Sequence, residues 1–241
     1  MACATALPIA PRAEPEPMPR APSHAAWTQT LQKVVHQSGL VDYAMLQDQP
    51  HALRDYLGTL NAVSEETFQS WSENDQVAFL INVYNAATVE LILDRWPIAS
   101  IRDIGGPLQS PWKKRRVRVF GQRVSLDHVE HTLLRPNYDL PEIHFALVCA
   151  AKGCPPLRNE AYTGERLSAQ LQDQARRFFA QPSKNRLDES ADTLYLSPIF
   201  KWFADDFESA GRSRIEMALK YLAPERPELA ARNWRIRFTK Y

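Results

Sequence analysis

The chain has 241 residues, of which 44% are hydrophobic and 24% are charged, proportions typical of a globular protein with a sizeable apolar core. Its 29 basic and 28 acidic residues nearly cancel, which argues against the strongly basic surface of a nucleic-acid-binding or membrane-surface protein. The 3 cysteines are too few for a disulfide scaffold. The length fits one large domain.

The N-terminal segment differs in composition from the rest of the chain. Six prolines lie between Ala4 and Ser23, without any aromatic residue, so this stretch cannot bury enough surface to offset the entropy of ordering. We expect residues 1–24 to form a disordered tail or linker and residues 25–241 to form a single globular domain. Cys3 allows two interpretations: an arbitrary sequence start, or a lipid-carrying cysteine on a tether. A lipid-carrying cysteine predicts a periplasmic or membrane-tethered protein, whereas an arbitrary start is compatible with a cytoplasmic one.

Helical patterns dominate the first half of the predicted domain. Ser64 and Ser72 each precede acidic residues, which favours both serines as helix N-caps. Ser72 opens the longest predicted helix, which Pro97 ends. Polar residues interrupt its apolar run, so we predict a core helix and no transmembrane segment. By apolar spacing, the predicted helices comprise residues 27–35, 51–60, 76–95, 126–134 and 166–179.

Strand patterns appear in the second half of the chain. The segment from Arg115 to Val124 alternates on both sides of a Phe-Gly turn, which predicts a β-hairpin. Ile143 to Ala150 is almost entirely apolar and is predicted to be a buried central strand. Asp192 to Ser197 is predicted to be a further strand. The whole pattern predicts an α+β single domain with several helices packed on a small, mainly antiparallel sheet.

Cys154 is the strongest candidate for a catalytic residue. It follows the predicted central strand, between a glycine and two prolines, in the kind of stiff strand-end loop that often carries catalytic groups. Lys152 would favour its thiolate form. A cysteine packed passively under the prolines is the equally weighted alternative. Cys149 lies within the predicted strand, so we expect it to be a small buried hydrophobic residue. If both thiols are free in an exported protein they risk oxidation, although a bond between cysteines so close in sequence would be strained.

A thiol nucleophile needs a base within hydrogen-bond reach and a third group that orients the base. His144 begins the predicted strand, and an extended chain would hold it about 20 Å from Cys154 unless the loop turns back. His131 lies on the short predicted helix, where Asp127 and Arg135 are its partners at i−4 and i+4.

Glu130 is the acidic neighbour of that second histidine. Adjacent helical residues point apart, which counts against a simple dyad of Glu130 with His131. We predict that Glu130 orients a base or acts as a second acid. The alternative for both side chains is a structural role near the end of a helix.

Two amides interrupt the longest predicted helix. Asn82 and Asn85 share one helical face, and amides within an apolar helix must find partners. The favoured interpretation is that they clamp the backbone of a neighbouring loop. The other is that, with Tyr84 and Arg135, they bind substrate or polarise it as oxyanion donors.

Other site classes have no support in the sequence. It contains no metal-ligand spacing and no glycine-rich phosphate loop, so we predict neither a metal nor a cofactor. The basic run from Lys113 to Arg116 lacks the interleaved aromatic residues of a nucleic-acid surface. A small molecule or peptide is therefore the predicted ligand, and the oligomeric state stays open.

Seven segments also carry a family resemblance: Val41 to Tyr43, Ala78 to Ala86, Ser125 to His131, Leu134-Arg135, His144 to Leu147, Gly153 to Leu157 and Phe200 to Phe207. Spread in order over residues 41–207, they resemble the domain of unknown function 547 family. The Asn-x-Tyr-Asn-Ala and Cys-Pro-Pro motifs are the most specific. Ala151 stands where the family commonly has serine, and Leu80 where it commonly has tryptophan. The first departure puts a serine-dependent hydrogen bond in the Cys154 loop in doubt.

The resemblance implies membership of a family found in bacteria, where many members look exported, and in plants. A helix followed by a strand bearing a histidine is similar to papain-like and transglutaminase-like architecture, by analogy of fold alone. Those enzymes carry their cysteine on the helix, where this chain has Tyr84 and Asn85. Cys154 would then approach the cleft from another direction.

Three hypotheses follow. The first is a cysteine-dependent hydrolase or acyl transferase with Cys154 as nucleophile, His144 or His131 as base and Glu130 in support. The second is a non-catalytic domain that binds a small molecule or peptide. The third is an interaction domain in which the motif residues are architectural. A histidine nitrogen about 3–4 Å from the sulfur in an open cleft would favour the first, and a sealed sulfur the third.

Overall fold

A computed structural model describes residues 20–104, 110–114, 116–151 and 153–241. Several predictions lie outside these described residues: the lipid-carrying Cys3, the proline-rich tail up to residue 19, Arg115 at the start of the hairpin, and Lys152. The described part is an α+β fold, as the sequence predicts, in which helices surround one long central helix and carry two small sheets.

The helices follow the predicted pattern closely. The α-helices of the described residues are α1 Ala25–Val34, α2 Tyr43–Asp48, α3 His51–Asn61, α4 Glu65–Gln69, α5 Glu73–Leu93, α6 Leu126–His128, α7 Leu167–Phe179, α8 Ile199–Trp202, α9 Ala204–Glu208 and α10 Arg214–Leu222. A π-helix, Val129–Leu134, continues α6 directly. Short 3₁₀-helices occupy Ile101–Ile104, Pro111–Lys113, Pro141–Phe145, Gly164–Arg166, Ser209–Gly211 and Pro227–Ala231. Helices α2, α8, α9 and α10 were not predicted from the sequence.

Helix α5 is the centre of the fold. Ser72 caps it by accepting a hydrogen bond from the backbone N–H of Asp75, as the sequence predicts. Nearly every residue from Val77 to Leu93 is buried, so the helix is apolar on all sides. Its length and hydropathy would allow it to cross a membrane, but 89% of its most apolar window is buried inside the fold, as in a core helix.

Two small sheets accompany the helices. Strands β1 Val117–Val119 and β2 Gln122–Val124 form the predicted antiparallel hairpin. In the second sheet, β4 Thr193–Leu196 confirms the predicted strand and lies between β3 Arg186–Asp188, which is antiparallel to it, and β5 Arg235–Phe238, which is parallel. Strands β3 and β5 are short and largely exposed, so they lack the apolar alternation by which a strand is recognised.

The prediction of a central strand from Ile143 to Ala150 is wrong. Pro141 instead opens the 3₁₀-helix Pro141–Phe145, and the chain then runs irregularly. Here the Asn85 amide takes the place of a neighbouring strand, because it donates to the backbone oxygen of Ala146 and accepts from the N–H of Val148, both at 3.0 Å. The histidine-bearing strand that supported the papain-like analogy is therefore not formed by these residues.

An aromatic cluster fixes the position of this irregular segment. Phe145 is fully buried and stacks on Phe178 and Phe207 at ring distances of 5.2 and 5.7 Å. Phe179 and Phe200 complete the contacts. Because aromatic pairs of this geometry add to the free energy of burial, the segment is anchored beside α7, α8 and α9, and the preceding His144 is held with it.

Candidate functional site

A cavity of about 280 Å³ lies where α5, the π-helix, the Cys154 loop and α8 meet the segment after β5. We call it the Cys–His cavity. Its polar and aromatic lining consists of Tyr84, Ser110, Trp112, Asp127, Glu130, His131, His144, Cys149, Cys154, Trp202, Phe203 and Tyr241. In the described part of the chain, no cluster of three or more His, Cys, Asp or Glu side chains has a metal-binding arrangement.

The cavity brings together the residues that the sequence proposes as catalytic. Cys154, His144, His131 and Glu130 all line it. The expected separation of His144 from Cys154 assumed an extended strand, but the chain is folded back. Ala150, with a φ of 55°, lies in the left-handed region at the bend.

The sulfur of Cys154 is joined to Cys149 by a disulfide bond, and the two Cα atoms are 5.9 Å apart, an ordinary separation for such a bond. The hydroxyl oxygen of Tyr241 lies 2.8 Å from the sulfur of Cys149 and 2.9 Å from that of Cys154. Since disulfide sulfurs carry no proton, the tyrosine is the donor. No hydrogen bond among the described residues joins a histidine to either sulfur.

The prediction of burial for Cys149 is wrong, and of the two alternatives for Cys154 the structure has the buried one. Cys154 is only 5% exposed, whereas Cys149, expected to be a buried hydrophobic residue, is half-buried. The reason is that the predicted strand does not form. The loop turns Cys154 inward beneath the ring of Tyr241, which packs so closely on Gly153 that a Cβ atom there would lie 2.6 Å from the ring.

His144 is held by a chain of charged hydrogen bonds. Its Nε2 lies 2.7 Å from a carboxylate oxygen of Asp206, and Arg135 grips the same carboxylate with two donors at 2.6 and 2.9 Å. Burial raises the pKa of the Asp206 carboxyl, but His144 and Arg135 outweigh burial and hold that pKa well below its ordinary value. In the neutral imidazole, Nε2 is then the protonated nitrogen and Nδ1 is the basic one.

Packing restricts the same histidine further. The ring of His144 is 3% exposed and stacks on Phe203 at 3.9 Å between ring centres. The guanidinium of Arg135 lies 4.8 Å from the centre of the same phenylalanine ring. The imidazole therefore has one orientation, as the base of a nucleophilic pair requires.

His131 is held in a different way, on the π-helix. Arg135 donates to its Nδ1 at 2.9 Å, and its Nε2 lies 3.6 Å from Asp127, so both predicted helical pairs are present. Because arginine can only donate, Nδ1 is an acceptor and the proton of the neutral ring faces Asp127. The wide π-helical turn, marked by the Arg135 N–H bond to Glu130 O, is a feature often found at functional sites.

Glu130 faces two phenols across the cavity. Burial, and then the Glu130 carboxylate beside the hydroxyl, raise the pKa of Tyr84 well above its ordinary value. The same two causes raise the pKa of Tyr241. Both hydroxyls keep their protons at neutral pH, so the cavity contains two neutral donors beside the carboxylate of Glu130.

The two helix amides serve the fold. Asn82 is 1% exposed, donates to the backbone oxygen of Tyr162 at 2.7 Å and accepts from the N–H of the same residue at 3.0 Å. Asn85 makes the equivalent pair of bonds to the segment after Phe145. Both amides therefore clamp the backbone of a neighbouring segment, which is the interpretation that the sequence favours. Neither amide lines the Cys–His cavity.

Two residues of the site were not identified from the sequence. The acidic pair at positions 205 and 206 looks like solvated surface, and only the fold brings Asp206 to His144, 62 residues away. The one sequence signal for Asp206 was that it lies in a segment of the family resemblance. Tyr241 lies 87 residues from Cys154, and no local pattern marks it.

A family model matches residues 68–179, a range that contains both amides, the π-helix, His144 and Cys154. The family is described as protein of unknown function, DUF547. Comparisons with curated proteins and with solved structures give no match.

Proposed function

Because this chain belongs to the DUF547 family, whose description assigns no activity, we propose a function from the site itself. The protein is a cysteine-dependent hydrolase or acyl transferase whose nucleophile is the reduced form of Cys154. A single observation carries the proposal: one cavity gathers Cys154 and a histidine oriented by a carboxylate, from three separate parts of the chain.

The oxidised cysteine is the resting form in this proposal. A protein or small-molecule dithiol supplies two electrons and two protons, which convert the Cys149–Cys154 disulfide into two thiols while the reductant becomes a disulfide. Tyr241 covers both sulfurs, so it must move aside for the reductant to reach them. The freed Cys154 then lies in the cavity with His144.

The acyl-transfer step follows the usual chemistry of a thiol nucleophile. Nδ1 of His144 takes the proton of Cys154, directly or through one water, and the thiolate attacks the carbonyl carbon of an ester, thioester or amide. The leaving group departs with that proton and leaves a thioester on Cys154. Water, or an acceptor alcohol or amine, then attacks the thioester and restores the thiol. Tyr84 and Tyr241 are the neutral donors available to the oxyanion.

A binding function without catalysis is the second candidate. The observation that favours it is the state of the sulfur, which is buried, oxidised and covered by a phenol; by the criterion set from the sequence, the same sealed sulfur favours an interaction domain whose motif residues are architectural. In this case the same polar groups hold a small molecule or peptide and no bond is broken. A disulfide persists most readily outside the reducing cytosol, which supports an exported protein under either candidate.

Mass spectrometry of an acyl-enzyme tests the catalytic proposal. The protein is treated with dithiothreitol and then with 4-nitrophenyl acetate, and the labelled residue is located. We expect an acetyl group on Cys154 after reduction and none before it. His144→Gln should slow acetylation by about 10²-fold or more, the usual size of general-base catalysis, while the matched change His51→Gln on the exposed start of α3 should not. Equal acetylation of all these proteins would leave only the binding candidate.

A further inference from the structure

A second cavity lies on the opposite side of the Cys154 loop. Its volume is about 520 Å³, within the range of about 300–1,000 Å³ that is usual for small-molecule sites. Val89 and Ile92 of α5, Trp96 and Val41 supply an apolar lining. Leu40 lies in the same lining and is 67% exposed, so it adds apolar surface at the mouth of the cavity.

One charged side chain among the described lining residues is buried. Lys184 is 9% exposed, and its ammonium donates to the backbone oxygen of Cys154. No carboxylate in the described part of the chain forms an ion pair with it, and burial lowers its pKa to about 8. The ammonium also lies 5.7 Å from the centre of the Phe178 ring. Because an ammonium has three donors, one carbonyl and one ring face leave it without an anionic partner.

We propose that this second cavity binds a small amphipathic carboxylate, with the carboxylate on Lys184 and the apolar chain along α5 towards Leu40. The ammonium of Lys184 and the apolar lining of the cavity together favour a ligand with one carboxylate and an apolar chain. The buried cation gains the anionic partner that it lacks, and the apolar walls exclude a ligand that is polar throughout. The site does not depend on any reaction of Cys154.

The ligand would also affect the loop that separates the two cavities. Lys184 bonds the main chain of Cys154, and Pro155 lines both cavities. A carboxylate on the ammonium competes with, or tightens, that contact. Occupancy of this site is therefore expected to alter the accessibility of the neighbouring disulfide.

Isothermal titration calorimetry with decanoate and with 1-decanol tests the site. Wild type should bind decanoate, and Lys184→Met, which keeps an unbranched side chain one atom shorter and removes the charge, should weaken decanoate binding by about tenfold or more. Binding of 1-decanol should be unchanged by this substitution. The exposed Lys201→Met is the matched control and should bind both ligands as wild type does.

Two further measurements cover the case in which Lys184→Met does not fold. Ala99→Trp, at an exposed position of the lining, should abolish binding of both ligands by filling the cavity. The affinity of wild type for decanoate should fall as the pH rises above about 8, where Lys184 loses its proton. Absence of decanoate binding to wild type would overturn the proposal, as would an affinity that neither Ala99→Trp nor pH changes.

Discussion

Two regions of this fold that contain buried polar residues differ in how the hydrogen bonds of those residues are used. In α5, the side-chain amides of Asn82 and Asn85 each donate one hydrogen bond to, and accept one from, the main chain of a neighbouring segment. In the Cys–His cavity, His144 has one nitrogen bound to Asp206, and Glu130 lies beside phenols. Both regions lie in the segments of the family resemblance, so motif membership alone does not separate architectural residues from chemical ones.

The difference teaches how to assign such residues. An amide with donor and acceptor both bound to backbone has nothing left for a substrate, and its loss should act on stability. A histidine with one nitrogen oriented by a carboxylate keeps the other for proton transfer, and its loss should act on reactivity. Substitutions in the two regions should therefore give separate signatures.

The largest stability effect is expected at Asn85. Asn85→Ala leaves the backbone oxygen of Ala146 and the N–H of Val148 buried without partners, at about 1–3 kcal/mol for each group. Urea denaturation should show a loss of about 2–5 kcal/mol in the free energy of unfolding. Asn74→Ala, at an exposed position in the first turn of α5, is the control and should change it little. A small effect at Asn85 would remove the distinction between the two regions.

A smaller stability effect is expected at Asp206. Asp206→Asn removes the charge shared by Arg135 and His144 and should cost about 1–2 kcal/mol, because the carboxylate is partly open to solvent. The folded-state pKa of Asp206 is depressed, so its contribution is complete above the ordinary value near 3.8 and is lost as the pH falls below it. Denaturation of both proteins from pH 7 to pH 3 should show their difference shrinking. A difference that grows on acidification, or the same loss in the exposed Asp205→Asn, would be inconsistent with this assignment.

The buried ammonium of the second cavity predicts a slope of the same sign, in alkaline instead of acidic solution. The pKa of Lys184 is about 8 in the fold and 10.5 ordinarily, so the unfolded chain binds more protons between these values. The free energy of unfolding of wild type, relative to Lys184→Met, should rise by about 1–2 kcal/mol from pH 8 to pH 10.5, after a discount for solvent screening. Parallel curves for the two proteins would show that the ammonium is not desolvated.

The smallest effect is kinetic and concerns Tyr241. Removing the ring in Tyr241→Ala should expose the sulfurs of Cys149 and Cys154 and speed reduction by dithiothreitol severalfold. Tyr241→Phe keeps the ring and loses only the hydroxyl, so it should stay closer to wild type. Samples quenched with acid at successive times, freed of dithiothreitol and alkylated with iodoacetamide report the reduced fraction of each protein by its mass. Identical rates in all three proteins would mean that Tyr241 does not shield the bond.

Local patterns predicted the helices and the hairpin because those elements satisfy their own hydrogen bonds. Helices α1, α3, α5 and α7 follow from apolar spacing, and α5 also from its serine cap, and both signals depend on neighbouring residues alone. The strand prediction for the segment after Pro141 failed because the hydrogen-bond partner of this segment is a side chain of α5. Asn85, which binds the backbone oxygen of Ala146, lies 61 residues away in the sequence. A run of apolar residues indicates that a segment is buried, but not which group forms hydrogen bonds with its backbone.

The site was predictable in its membership more than in its geometry. Reactive residue types, which are visible in the sequence, singled out Cys154, His144, His131 and Glu130, which share one cavity. The proposed substrate residues Asn82, Asn85 and Arg135 do not line it. The orienting carboxylate of Asp206, the covering phenol of Tyr241 and the disulfide to Cys149 all depend on how distant segments are folded together. Spacing along the chain contains none of this information.

The central claim is that Cys154, once reduced, is activated by a histidine of the cavity. The most direct test uses Cys149→Ser, in which Cys154 has no disulfide partner, and measures its alkylation by iodoacetamide as a function of pH. We predict a reactive thiolate well below the ordinary cysteine pKa of about 8.5, and a return towards that value when His144→Gln is added. A thiol that titrates near 8.5 in both proteins, or reacts only after unfolding, would contradict the account.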